Sequence, residues 1–237
     1  MNLVRVRDTH LGYISVSQIV DESPFRFRRP NAEAVEDLRL SFLRSGQTHP
    51  MLLETLSDGN FRVLDGHRRL AAVRSIHARG GSWHKILAYL TASPTPIQIF
   101  RSLLARNDGD GAYAPTELGR LLAWAQGSGI ETSVIARGSG LSLTDVDDLL
   151  DLAEAPEDLA AVIDKAGLAP LFAAMLFRRF RSWRATRHGP FAIETASRLI
   201  EQSKKSALTI KGWRFLLDFY WADDRPFMIG SYEKDRC

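Results

Sequence analysis

Five consecutive residues, Asp65-Gly66-His67-Arg68-Arg69, bring together a carboxylate, a glycine, an imidazole and two guanidinium groups. Two neighbouring guanidiniums suit an oxyanion, because each presents parallel N–H donors to two oxygens. A glycine beside them lets the backbone approach a ligand closely. The plain alternative is a turn whose arginines point at water or pair with Asp and Glu, and spacing alone leaves both open.

The flanking residues decide where these groups stand. Phe61 and Val63, with Leu64 beside them, read as a short strand. Asp65 and Gly66 break it. Leu70, Val73 and His77 then recur at helical spacing, with Ala71, Ala72 and Ile76 filling in. The unit is therefore strand, tight turn, helix, with His67, Arg68 and Arg69 in the first helical turn. That turn has unpaired N–H groups and a partial positive charge, so arginines there oppose the helix dipole but favour a phosphate.

Residues 11–20 have strand character and end at the turn Asp21-Glu22-Ser23-Pro24. The arm Phe25-Arg26-Phe27-Arg28-Arg29-Pro30 reads either as a loop with packed Phe rings and solvated arginines or as a basic arm near an anion. Residues 31–45 form a helix capped by Asn31, with Val35, Leu38, Phe42 and Leu43 as its apolar stripe. Gly46 ends it. Residues 51–56 are a strand, and Asp58-Gly59 signals a hairpin into the next. A possible strand over 86–90 and a helix over 97–105 follow, then Arg106-Asn107-Asp108-Gly109-Asp110-Gly111, a linker from Asp108.

Residues 65–72 resemble the Gly-Glu-Arg-Arg box of the ParB N-terminal domain, in the ParB/sulfiredoxin-like superfamily. Gly46-Gln47-Thr48-His49-Pro50 resembles its Gly-x-x-Gln-Pro box, and an Arg-and-Pro arm precedes the helix as it does there. The resemblance implies a nucleotide, CTP with Mg2+, held by Gly46, Gln47, Thr48, His49, Pro50, Gly66, His67, Arg68, Arg69 and Asn107, with Asn107 serving the metal through the nucleotide. His49 stands where the family has Gln, His67 where it has Glu, and Arg106 where it has a Glu before the Asn. Loss of that last carboxylate argues for at most a weak CTPase. The Asp-Gly-His-Arg wording is also similar to enzymes of this fold, including free-serine kinases. A phosphotransfer enzyme or nuclease is thus an alternative, with Asp65, Asp21 and Glu22 as carboxylates and no assigned catalytic residue. The sole cysteine, Cys237, is far from the box and excludes a sulfiredoxin.

The composition, 45% hydrophobic and 25% charged over 237 residues, is that of a globular chain with room for two or three small domains. One cysteine excludes an intrachain disulfide and fits a reducing compartment. No run reaches membrane-span length. A cytoplasmic protein, nucleoid- or plasmid-associated, is expected. The net charge of +3 conceals a segregation: residues 131–164 hold nine acids against one base, and 166–214 hold ten bases against two acids. A basic block suggests nucleic acid or an acidic partner.

After a helix over 113–126, Ala136, Gly140 and Val146 have the spacing of a helix-turn-helix: a small residue, a glycine four later, an apolar residue six after that. Residues 149–164 continue as in ParB and KorB proteins. Ser142 and Thr144 are the candidate DNA contacts, while Asp145, Asp147, Asp148 and Asp151 would repel phosphates. Arg178, Arg179, Arg181, Arg184 and Arg187 interleave with Phe180 and Trp183, either to touch a DNA backbone or to solvate a helix whose aromatics pack inward. Two further helices, 191–202 and 208–220, end the chain, and Trp213, Phe215, Leu216, Phe219, Tyr220 and Trp221 are a candidate dimer surface or core.

The expected fold class is α+β: a small ParB/sulfiredoxin-like α/β domain (1–108), a KorB-like helix-turn-helix domain (112–165) and a basic, aromatic-rich helical region (166–237). The resemblance implies a DNA-binding protein switched by nucleotide, acting in plasmid or chromosome partition or in transcriptional regulation, with DNA, nucleotide, a second copy and a partition ATPase as partners and no membrane. A degenerate protein-interaction adaptor is the remaining alternative.

Overall fold

The computed structural model describes residues 10–20, 22–29, 31–105, 112–184, 192–206 and 209–220. The chain falls into two compact units: Met1–Ala112 with Trp124–Ser139, and Tyr113–Ala123 with Gly140–Cys237.

The first unit is built on a five-stranded mixed sheet. Its strands are β1 (His10–Ser15), β2 (Ile19–Val20), β3 (Met51–Thr55), β4 (Phe61–Asp65) and β5 (Lys85–Ala92), in the order β1-β5-β3-β4-β2. The region 11–20 is thus two strands, split by a short 3-10 turn at Val16–Gln18. β3 and β4 form the expected hairpin, with Gly59 at φ +81° and the Asp58 carboxylate accepting from the Asn60 amide at 2.9 Å.

Met51-Leu52-Leu53 is a continuous apolar run because β3 is covered on both faces. Leu53 and Val63 face a core with Phe42, Leu70, Val73 and Ile76, from helices α1 (Ala32–Ser45) and α2 (His67–Ala78). Leu52 and Leu64 face the other way, toward Ile99 and Ser102 of α3 (Pro96–Ala105). The Asn31 side chain caps α1 by accepting from the Ala34 amide. Two expected stripe positions differ. Leu43 is 54% exposed, one residue past the buried face that Phe42 occupies. His77 is also exposed; Ile76 takes the core position, and His77 meets the His84 ring edge-on at 5.0 Å.

Helix α4 (Pro115–Gly127) contributes its end to the first unit. There Trp124 receives Phe25 edge-on at 5.2 Å and Phe27 at 5.9 Å. Both Phe rings are buried while Arg26 is exposed, so the arm is anchored by its aromatics. Helix α5 (Thr132–Ser139) buries Ile135 and Ala136, and a Cβ on Gly138 would meet the Phe100 ring at 3.2 Å.

The second unit is helical among the described residues: the start of α4, then α6 (Leu143–Ala153), α7 (Glu157–Ala166), α8 (Pro170–Arg184), α9 (Ala192–Ser206) and α10 (Ile210–Tyr220). Gly119 lets α4 meet α6 at backbone distance, since a Cβ there would lie 2.2 Å from the Leu149 carbonyl oxygen. Trp213 is 2% exposed and packs on Phe172. It belongs to the core and not to a dimer surface, whereas Phe215 is exposed. Nothing is assigned to the side chains of Phe219 and Tyr220 or to Trp221, which lie outside the described residues.

Candidate functional site

The strand-to-helix turn forms as its sequence dictates. β4 ends at Asp65, and Gly66 takes φ +110°, a conformation that favours glycine. Space requires glycine as well, because a Cβ there would sit 2.7 Å from Cγ of the buried Met51. The chain then enters α2 with no side-chain cap and no acid in the first turn. His67, Arg68 and Arg69 are its first three residues.

Arg69 ties the two boxes together. Its guanidinium donates to the Asp65 carboxylate at 2.7 Å, to the Pro50 carbonyl at 2.7 Å and to the His49 carbonyl at 3.0 Å. The loop 46–50 is therefore held against the start of α2. Arg68 donates to the Arg29 carbonyl at 3.2 Å and so brings the basic arm to the same place. Arg28 donates to the Ala112 carbonyl at 3.2 Å.

Gln47 has a role that no local pattern announces. Its side-chain carbonyl accepts from the Leu87 amide at 2.7 Å, and its NH2 donates to the Leu87 carbonyl at 2.8 Å and to the His49 carbonyl at 2.9 Å. The side-chain amide behaves as an extra peptide group paired with β5. Gly46, at φ +74°, ends α1 just before it. Thr48 and His49 are exposed and joined by a 2.9 Å hydrogen bond between Oγ1 and Nδ1. Neither residue type told in advance that Gln47 is structural while Thr48 and His49 face solvent; the signal lies forty residues away at Leu87.

His67 is set apart by its environment. Its Nε2 is buried and has no hydrogen-bond partner. Burial chiefly, and the positive charge of Arg26 next, push its pKa down to about 4, against the opposing carboxylate of Asp65. The imidazole is neutral at pH 7. Arg106 and Asn107 lie outside the described residues. Among the described residues no group of three His, Cys, Asp or Glu could hold a metal ion, and Asp65 is committed to Arg69. Among the described residues the start of α2 thus presents guanidinium groups and an uncapped helix N-terminus.

The basic helix α8 is arranged differently. Arg178 donates from Nε to Asp151 at 2.6 Å and from Nη2 to Asp148 at 2.7 Å. The Asp148 side chain is 4% exposed. Arg179 stands 3.7 Å from Asp218 of α10. Arg181 stands 3.5 Å from Glu154, with its guanidinium 5.7 Å from the Phe177 ring centre. The acidic and basic blocks of the sequence thus meet inside one unit, and the α6 acids face the α8 arginines. The Arg184 side chain and Arg187 lie outside the described residues.

Gly140, at φ +71°, lies between α5 and α6 in the chain, and Val146 is fully buried. Ser142 is spent locally. Its hydroxyl accepts from the Asp145 amide at 3.1 Å, and the Asp145 carboxylate accepts from the Ser142 hydroxyl and amide, which closes a capping box. Thr144 is exposed.

No protein-family model matches the chain, and no curated protein matches it in sequence. Solved structures do. One crystal form of a pNOB8-like ParB N-domain is 14% identical, over 89% of this chain and 94% of its own, with a TM-score of 0.53. Another pNOB8-like ParB N-domain structure is 14% identical, over 90% and 96%, with a TM-score of 0.51. The C-terminally truncated chromosome-partitioning protein ParB from Caulobacter crescentus, complexed to the centromeric parS site, is 16% identical over 88% and 99%, with a TM-score of 0.46. The fold is ParB-like.

Proposed function

We propose that this chain is a ParB-like DNA-binding protein whose first unit binds a nucleotide, CTP, as a switch. The observation that carries the reading is the meeting of loop 46–50, the basic arm and the uncapped start of α2 around Arg68 and Arg69. Helix N-terminus and guanidiniums there favour phosphate oxygens. Gly66 would keep the approach open, and Asn107 would complete the phosphate side. Mg2+, arriving with the nucleotide, would neutralise phosphate charge. DNA would be held by the helical unit through Thr144, Arg181, Arg184 and Arg187, with partition or transcriptional control as the outcome, and a second copy or a partition ATPase as partner.

The test is calorimetric titration of CTP, ATP and GTP with Mg2+ into wild type and Arg68→Ala. Selective CTP binding, lost in the variant, is expected. Preference for ATP would favour a phosphotransfer enzyme, and no binding of any nucleotide would overturn the reading. A second reading, an adaptor that works through protein contacts, is favoured by the internal use of Ser142 and Arg178. It predicts no salt-dependent DNA binding.

A further inference from the structure

His67 occupies the position that should matter most to an anionic ligand, the first residue of α2. Its Nε2 is a buried polar atom without a partner. Such atoms are uncommon, because water was given up and nothing replaced it. The neighbouring arginines are held by protein oxygens: Arg69 by Asp65, His49 and Pro50, and Arg68 by the Arg29 carbonyl. Those bonds aim the arm and the loop toward the helix start, and they do not reach the imidazole, whose Nε2 stays unsatisfied.

We propose that His67 is the pH-responsive contact of this site, its ring taking up one proton as a polyphosphate binds and its Nε2–H donating to a phosphate oxygen. The inference rests on the nucleotide reading above and adds a regulation to it. The proton comes from solvent, and it returns there when the ligand leaves. The physical cause is local. In the ligand-free protein burial and Arg26 keep the ring neutral, with a pKa of about 4, and only Asp65 opposes them. Arg68 and Arg69 follow on the same helix and add positive charge. A polyphosphate reverses that balance: several negative charges at contact distance favour imidazolium, whose two nitrogens both donate. A group whose pKa rises on binding makes binding tighter as pH falls, between its free and bound values.

The experiment is titration of CTP into the full chain from pH 8 to pH 6, repeated at each pH in buffers of different ionisation enthalpy. Inorganic triphosphate is the second probe. Wild type is expected to take up close to one proton more than His67→Gln, and its affinity to gain up to tenfold per pH unit relative to that variant. The difference removes the titration of the phosphate itself. His67→Asn repeats the comparison, and thermal melts show that each variant is folded. Equal uptake and parallel pH profiles in wild type and both His67 variants would overturn the proposal while leaving the nucleotide reading intact. Binding of neither probe at any pH would overturn both. Binding of triphosphate alone, with uptake, would keep the proton coupling and remove the cytidine.

Discussion

Two helices in this chain begin in opposite ways. α2 starts at Gly66 with no side-chain cap, no acid in its first turn and three basic-type side chains in a row. α6 starts at Ser142 with a closed capping box. The partial positive charge at the head of α6 is thus met by Asp145, while that at the head of α2 meets no acid of its own first turn. The arginines follow the same division. Arg69 holds mainly backbone carbonyls around the α2 start, whereas Arg178 is neutralised by two carboxylates. An arginine-rich stretch is therefore not yet a binding surface. What its guanidiniums already hold decides that: the start of α6 is closed by its own side chains, and the start of α2 carries no side-chain cap.

The most damaging way to break this contrast is Gly66→Ala. It forces a left-handed residue and a Cβ against Met51, and should cost about 3 kcal/mol in chemical denaturation, with loss of nucleotide binding. A cost below about 1 kcal/mol would mean that the open start of α2 is not shaped by this glycine.

Acid sharpens the contrast next. Folded His67 has a pKa of about 4 against 6.5 for an ordinary histidine. Between those values the unfolded chain binds a proton that the folded chain refuses, so stability falls as pH drops through that window. The ligand-free protein should lose about 2–3 kcal/mol more than His67→Gln between pH 7 and pH 4. Identical stability curves would remove His67 as a buried neutral group.

On the closed side, Arg178→Met leaves the Asp148 carboxylate buried and unpaired. With Arg178 43% exposed, the loss should be about 2 kcal/mol, below that for a fully buried pair. DNA affinity and its salt slope should not change. A slope reduced by about one unit would return Arg178 to the phosphate contacts. The smallest effect is Ser142→Ala, about 1 kcal/mol from the lost cap, again without change in DNA affinity.

Much of the first unit was legible in the sequence because its signals are local. Asn31, Gly46, Asp58-Gly59 and Asp65-Gly66 each mark a boundary by a backbone preference or a side-chain-to-backbone bond a few residues long, and the structure uses them so. The two boxes were legible as well, but the bond that joins them was not, since Arg69 reaches His49 across about twenty residues of chain. The same distance effect hid the pairing of Arg178 with Asp148 and Asp151. Charge segregation along the chain suggests nucleic acid, an acidic partner or a solvated basic face, but acids and bases on separate helices can equally be complementary faces. Helical phase is the other limit: Leu43 and His77 stand one position from residues that are buried, and a stripe drawn from spacing does not resolve one position.

The sheet order also sets a timetable for synthesis. His10 of β1 pairs with Leu90 of β5, and no other described strand borders β1. At about 5–20 residues per second, β1 leaves the ribosome roughly 4–16 s before its partner exists. During that interval Leu11 and Tyr13, exposed even in the finished fold, lie on a strand with no Lys, Arg or Pro to discourage foreign pairing. The nascent chain should therefore be the state most dependent on chaperones, and slowing translation between β1 and β5 should lower the yield of folded protein more than slowing it after α4.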